Sequence, residues 1–180
     1  MTTAYSQSVD TDSDTWNGNT FVQRWAASDL TLPSDAIARM RARWEAGSTE
    51  ALTISEAYVG HKAGSGDVYD FAATPAQFLF SGGASGVANA GSTITSDWVN
   101  FVYDKTTDLL ISWYAGGGTS SDMTRYKDGI SASIIAYFKA GNEASTVDKS
   151  ASYSSAASRL RSITLLEVET ATGGFFLFMR

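Results

Sequence analysis

Apolar and polar residues alternate along much of this chain in short runs, and Gly, Ser, Thr, Asp and Asn separate the runs. That period-two pattern predicts strands with one face turned to a core. Thr20–Ala26 (TFVQRWA) reads as a first strand. Leu52–His61 (LTISEAYVGH) is a second clear one, bounded by GSTE before it and KAGSGD after it. Ile37–Trp44 (IARMRARW) contains good helix formers, but Arg39, Arg41 and Arg43 alternate with Met40, Ala42 and Trp44, which favours a strand. Asp108–Tyr114 (DLLISWY) puts Leu109, Ile111 and Trp113 on one face and Leu110 and Tyr114 on the other. With both faces apolar, it is expected in the middle of the domain.

Pro75–Phe80, Thr93–Tyr103, Ile130–Lys139 and Arg159–Val168 complete the internal strands, and Phe175–Met179 (FFLFM) reads as a closing strand or a subunit contact. Gly82–Gly91 is expected to be a Gly-rich loop, and Ala115–Gly129 a long one of about 15 residues. About nine strands with little helix predict an all-β fold, a two-sheet antiparallel sandwich of the jelly-roll kind. Residues 1–19 are polar, with Tyr5 and Trp16 their only aromatics, and read as an attachment arm, flexible or clamped. Residues 20–180 then form a single domain, with no internal repeat.

Composition narrows the chemistry. The chain of 180 residues has no cysteine and one histidine, His61. Disulfides and zinc sites built from several Cys or His ligands are therefore excluded. A Ser-His-Asp site would have to use His61, and no G-x-S-x-G elbow occurs. The Gly-rich stretches GGGTS and GGASG do not end in G-K-[ST], so they are not phosphate loops. Two carboxylates suffice for a glycosidase, and Asp67, Asp70, Asp122 and Asp128 are the candidates; solvated loop carboxylates are the plainer reading. Asp67 and Asp70 could also offer oxygens to a cation, but no D-x-D-x-D-G loop is present. No enzyme activity, cofactor or metal is expected. A net charge of −6 disfavours nucleic acid. No apolar stretch approaches the ~20 residues of a membrane span, and the N-terminus is not a signal peptide of the usual kind.

What remains is recognition. Sugars bind on flat aromatic rings flanked by planar polar groups. Most of the five Trp and eight Tyr fall within strands and belong by default to the core. Trp98, Trp113, Tyr114 and Tyr126 lie at strand ends or in loops, and the long loop adds Asp122, Arg125, Lys127 and Asp128. These eight residues are the candidate carbohydrate contacts. Arg39, Arg41 and Arg43 would share one face of a strand, about 7 Å apart. They would face an acidic polysaccharide or a neighbouring subunit, or pair across strands with carboxylates such as Glu56, Glu167 or Glu169.

The stretch 36–168 resembles a known kind of module. It carries VGH at Val59–His61, YDF at Tyr69–Phe71, FSGGASG at Phe80–Gly86, AGSTITSDWVNF at Ala90–Phe101 and DLLISWY at Asp108–Tyr114, with SASIIAYFKAGN and RSITLLEV after them. These elements are similar to the accessory β-sandwich beside some SGNH/GDSL-type esterases, and to jelly-roll modules of phage and prophage tail proteins. The esterase nucleophile motif G-D-S and a D-x-x-H near the C-terminus are missing, so hydrolase activity is not implied. The resemblance implies a fibre or head spike of a phage-like particle, such as a gene transfer agent. It would bind bacterial surface or capsular polysaccharide, attach to other virion proteins through residues 1–19, and leave the bacterial cytoplasm by lysis. A purely structural capsid or tail component is the alternative, and a homo-oligomer is compatible with either.

Overall fold

The structure, a computed structural model, describes residues 1–116 and 123–171. Fifteen strands and one short 3-10 turn at Ala27–Asp29 make up the regular structure of those residues. Every strand pair is antiparallel. The strands are β1 (Thr2–Ser6), β2 (Thr11–Thr15), β3 (Asn19–Trp25), β4 (Ile37–Glu45), β5 (Leu52–His61), β6 (Ala76–Phe78), β7 (Gly86–Ala88) and β8 (Thr93–Thr95). They continue as β9 (Val99–Tyr103), β10 (Leu109–Ala115), β11 (Met123–Asp128), β12 (Ile135–Ala140), β13 (Ser154–Ala157), β14 (Arg159–Arg161) and β15 (Ile163–Thr170).

Two main sheets face each other across one core. The first runs β1-β15-β4-β8, with β9 also on β4; the second runs β13-β12-β3-β10-β5-β6, with β7 also on β5. Alternate residues of each sheet turn inward, as the period of a pleated strand requires. Met40, Trp44, Leu166 and Val168 from the first meet Phe21, Trp25, Ile111 and Trp113 from the second in one cluster. Trp44 packs edge-on to Phe78 across the gap at 5.7 Å, and Tyr5 to Trp25 at 5.8 Å. The expected all-β sandwich is therefore the observed fold. The double-sided strand Asp108–Tyr114 is β10, central between β3 and β5.

Five expectations change. The polar segment 1–19 is not a free arm: β1 pairs with β15 and β2 with β11. A bulge between Thr3 and Tyr5 turns the two neighbours Ala4 and Tyr5 both toward the core, and Val9 is buried as well. A few anchors suffice for an edge strand, which is why average composition underrated it. The single run Thr93–Tyr103 is two short strands, both on β4. Arg159–Val168 also divides, at Ser162, whose φ of 56° is left-handed. That turn sends β14 into a small third sheet, β14-β11-β2, and β15 into the first main sheet. Finally, β11 occupies much of the expected 115–129 loop, and β7 lies within the Gly-rich 82–91 segment. The FFLFM segment lies outside the described residues.

Candidate functional site

Four of the five tryptophans belong to the core or pack against it: Trp25, Trp44 and Trp113 are buried, and Trp16 lies against them. Trp98 is the one outside it. It sits in the short link between β8 and β9, on the outward face of the first sheet, and is half-buried.

That outward face is set by β4. Met40, Ala42 and Trp44 point in, so Arg39, Arg41 and Arg43 point out. On β15, Glu169 and Glu167 stand in register opposite Arg39 and Arg41. Arg39 makes an ion pair with Glu169, and Arg41 Nε donates to Glu167 Oε2 at 2.6 Å. The cross-strand carboxylates foreseen for the arginine stripe are thus Glu167 and Glu169. Glu56 lies on the other sheet and accepts instead from the Tyr58 hydroxyl at 2.8 Å. Trp98 covers the pair: the guanidinium carbon of Arg41 lies 4.7 Å from its ring centroid and that of Arg39 5.7 Å. Among the described residues these two cations are its only cation–π partners, and no aromatic ring pairs with it.

The link that carries Trp98 is fixed at both preceding residues. Ser96 is buried, donates its N–H to the Ala42 carbonyl at 2.9 Å and accepts the Ala42 N–H on its hydroxyl at 3.1 Å. Asp97 donates its N–H to Leu79 O at 2.7 Å, and its carboxylate accepts the N–H of Gly82 at 2.7 Å. The Phe80–Gly83 turn that supplies this contact contains Ser81 and Gly82 with φ of 52° and 82°. Ion-paired guanidiniums below and a pinned backbone on the N-terminal side preorganise the ring, which lowers the ordering cost of binding.

The other sequence candidates divide. Trp113 is fully buried and stacks on Phe21 at 4.5 Å, so it is a core residue and not a ligand contact. Its strand-end position concealed that it lies on the inward face of the central strand. Tyr114 faces outward, half-buried, with its ring against the Gly18 and Gly116 backbone. Asp122 lies outside the described residues.

Arg125, Tyr126, Lys127 and Asp128 are on β11, in the small sheet rather than in a loop. The charged groups of Arg125, Lys127 and Asp128 are engaged there. Arg125 bridges Glu45 at 2.6 Å and Asp12 at 3.2 Å. Lys127 pairs with Asp10 at 2.5 Å, and that bond holds the Asp10 carboxyl below its ordinary range. Asp128 accepts two bonds from Arg159, at 2.6 and 2.9 Å. The Arg159 guanidinium lies 4.3 Å from the Tyr126 ring centroid. Beneath it Arg161 is almost wholly buried among Trp16, Phe21, Tyr126 and Phe138. Burial, helped by the charge of Arg159, pushes its pKa down to about 10. Gln23 of β3 fastens this sheet to the sandwich, donating to Arg159 O at 3.0 Å and accepting from Arg161 N at 2.9 Å.

Arg125 is anchored on Glu45, four strand residues from Arg41 and so about 13 Å along β4. Trp98 and the β11 residues are therefore separate places. A ligand at β11 would have to displace ion pairs; one at Trp98 meets a ring already propped from below. Trp98 is the stronger candidate. Its companions Arg39, Arg41, Glu167 and Glu169 were legible as a ladder, but nothing in the spacing joined that ladder to Trp98.

His61, the sole histidine, is structural in its contacts. Its Nε2 accepts the Asp104 N–H at 2.8 Å and its ring stacks on Tyr103 at 5.5 Å. Burial lowers its pKa, opposed by the Asp104 charge. Among the described residues no group of three or more His, Asp or Glu side chains is placed to hold a metal, and no helix is long and apolar enough to cross a membrane.

No protein-family model matches the chain, and no curated protein matches it in sequence.

Proposed function

We propose that this chain is a recognition module of a phage-like particle, a fibre or head spike, that binds bacterial surface or capsular polysaccharide through the Trp98 face. The observation that carries this reading is Trp98 itself, a tryptophan left outside the core with the guanidiniums of two ion-paired arginines against its ring. An indole face offers the apolar, polarisable surface that sugar C–H groups stack on, and the planar guanidinium and carboxylate groups beside it supply hydrogen bonds to hydroxyls. The particle setting follows from the resemblance of residues 36–168 to phage tail and spike modules. Single-site sugar binding is weak, and many copies on one particle would convert it into firm attachment.

The test is binding of the purified chain to capsulated bacteria and to a capsule-free strain of the same host. The expected result is binding to the first only, lost on Trp98→Ala. Binding to neither strain, with association to other particle proteins instead, would assign the chain to the structural class.

A further inference from the structure

The arginine stripe is not evenly neutralised. Arg39 and Arg41 each have a carboxylate, Glu169 and Glu167. Arg43, next on the same outward face, stands opposite Leu165 on β15 and Thr95 on β8, neither of which carries charge. Its Nε donates to the Thr164 hydroxyl at 3.1 Å, and among the described residues no carboxylate pairs with it. The nearest acid on its own strand, Glu45, is taken by Arg125 at 2.6 Å. Arg43 is partly exposed, and among the described residues no carboxylate balances its terminal nitrogens, at the end of a face on a chain of net charge −6.

Two residues along a strand is about 7 Å, so Arg43 lies one step beyond Arg41, over which Trp98 is seated. A sugar ring stacked on Trp98 places its ring substituents, or those of the next sugar, over Arg43. A guanidinium is the side chain best matched to a carboxylate, through two parallel N–H···O bonds. Building on the reading of the Trp98 face as a saccharide site, we infer that its ligand is an acidic saccharide. One sugar lays an apolar C–H face on Trp98, and the carboxylate of that sugar or its neighbour is bound by Arg43. Arg39 and Arg41 serve to hold the ring; Arg43 selects the charge.

The experiment uses the full chain and a panel of hexuronate and sialic-acid oligosaccharides, each beside its carboxyl-reduced counterpart, followed by calorimetry and by tryptophan fluorescence. At least one acidic member is expected to bind more tightly than its reduced form, with affinity falling as salt rises. Arg43→Gln should weaken that member about ten- to hundred-fold, the loss of one charge-assisted interaction, and leave the reduced form unchanged. Arg43→Lys should recover part of the loss, and Trp98→Ala should abolish binding of both forms. Equal affinity for acidic and reduced forms, or an Arg43→Gln chain that still prefers the acid, overturns the role of Arg43 while Trp98-dependent binding keeps the saccharide reading. Failure of every saccharide, or binding indifferent to Trp98→Ala, overturns both. A single-stranded oligonucleotide that binds as tightly as the best acid also overturns the inference, since the face would then select phosphate charge rather than a sugar.

Discussion

The two main sheets each have an outward face, and the chain treats them differently. On the first, Arg39, Arg41, Arg43 and Glu169 are partly exposed, Glu167 is buried in its pair with Arg41, and Trp98 lies over Arg39 and Arg41. On the second, the outward residues Val22, Leu110 and Tyr137 form a second small core under Tyr69 and Phe71. Two loops make that cover. They are laced together where Phe71 N–H donates to Val147 O at 2.9 Å and Lys149 N–H to Asp70 Oδ1 at 2.9 Å. Phe71 sits directly on Gly60, where a Cβ would come within 2.6 Å of its ring. Outward apolar residues on a central sheet have to be roofed, and long loops are spent on the roof. Outward ion pairs need none, so the face they occupy is left free for a partner.

The largest expected effect is therefore on the roofed face. Phe71→Ala removes the ring that closes over Gly60 and Leu110 and should cost about 3–5 kcal/mol in denaturant unfolding, as for other buried aromatics. Asp70→Ala should follow at about 2–4 kcal/mol. It takes the acceptor from the Asp67 N–H as well as from the Lys149 N–H, and a negative charge from beside a buried lysine. A loss below about 1 kcal/mol in either would mean that the loops rest on the sheet without holding it.

Lys149 sharpens the contrast. Its side chain is buried, with Nζ donating to Thr146 O at 2.7 Å and lying 3.8 Å from the centroid of the Phe71 ring. Burial pushes its pKa down to about 8 from 10.5, against the pull of Asp70 and Glu143. A lysine whose folded pKa is lowered binds fewer protons folded than unfolded between those values, so stability rises with pH across that window. The gain by pH 10 should be on the order of 2 kcal/mol. Two half-buried tyrosines act oppositely and later: Tyr5 and Tyr58 are raised to about 12, chiefly by desolvation, which makes stability fall as pH climbs above 10. Lys149→Met should therefore flatten the rise between pH 8 and 10 and leave the decline above it. A slope unchanged by the substitution would assign the linkage to another group.

The difference between the faces also explains how far the sequence could be read. Strand type was legible wherever one face was polar: Arg39, Arg41 and Arg43 alternating with Met40, Ala42 and Trp44 resolved β4 against a helix and foretold its pairing with Glu167 and Glu169. The apolar faces of β10 correctly marked a central strand, but they also hid Trp113, because a run apolar on both sides does not say which side meets solvent. Breaks set by backbone conformation were silent. Ser162 has no composition that announces φ of 56°, yet it divides β14 from β15 and creates the small sheet. The pairing of β11 with β2 was equally hidden, so Arg125, Tyr126, Lys127 and Asp128 read as loop ligands when they are rungs of a ladder. Trp98 was visible as a strand-end aromatic, but its seat on Arg41 comes from β8 and β9 both joining β4, a long-range fact that no local pattern carries.

The smallest effect on stability should come from the residue that matters most to the proposed site. Trp98→Ala removes a part-exposed ring that touches no core cluster, and Arg39 and Arg41 keep their partners Glu169 and Glu167 without it. What is lost is cation–π attraction at the surface, so unfolding free energy should fall by less than about 1 kcal/mol. Saccharide binding should vanish in the same chain. Phe71→Ala is its mirror: a large loss of stability, with affinity per folded molecule intact, because Phe71 lies on the opposite side of the sandwich. The two variants measured together, by denaturant unfolding and by saccharide calorimetry below the unfolding transition, separate a face built to be covered from a face left to bind. If Trp98→Ala instead unfolded the chain as far as Phe71→Ala does, the ring would be a structural cap on the arginine ladder, and the division between the two faces would not be one of function.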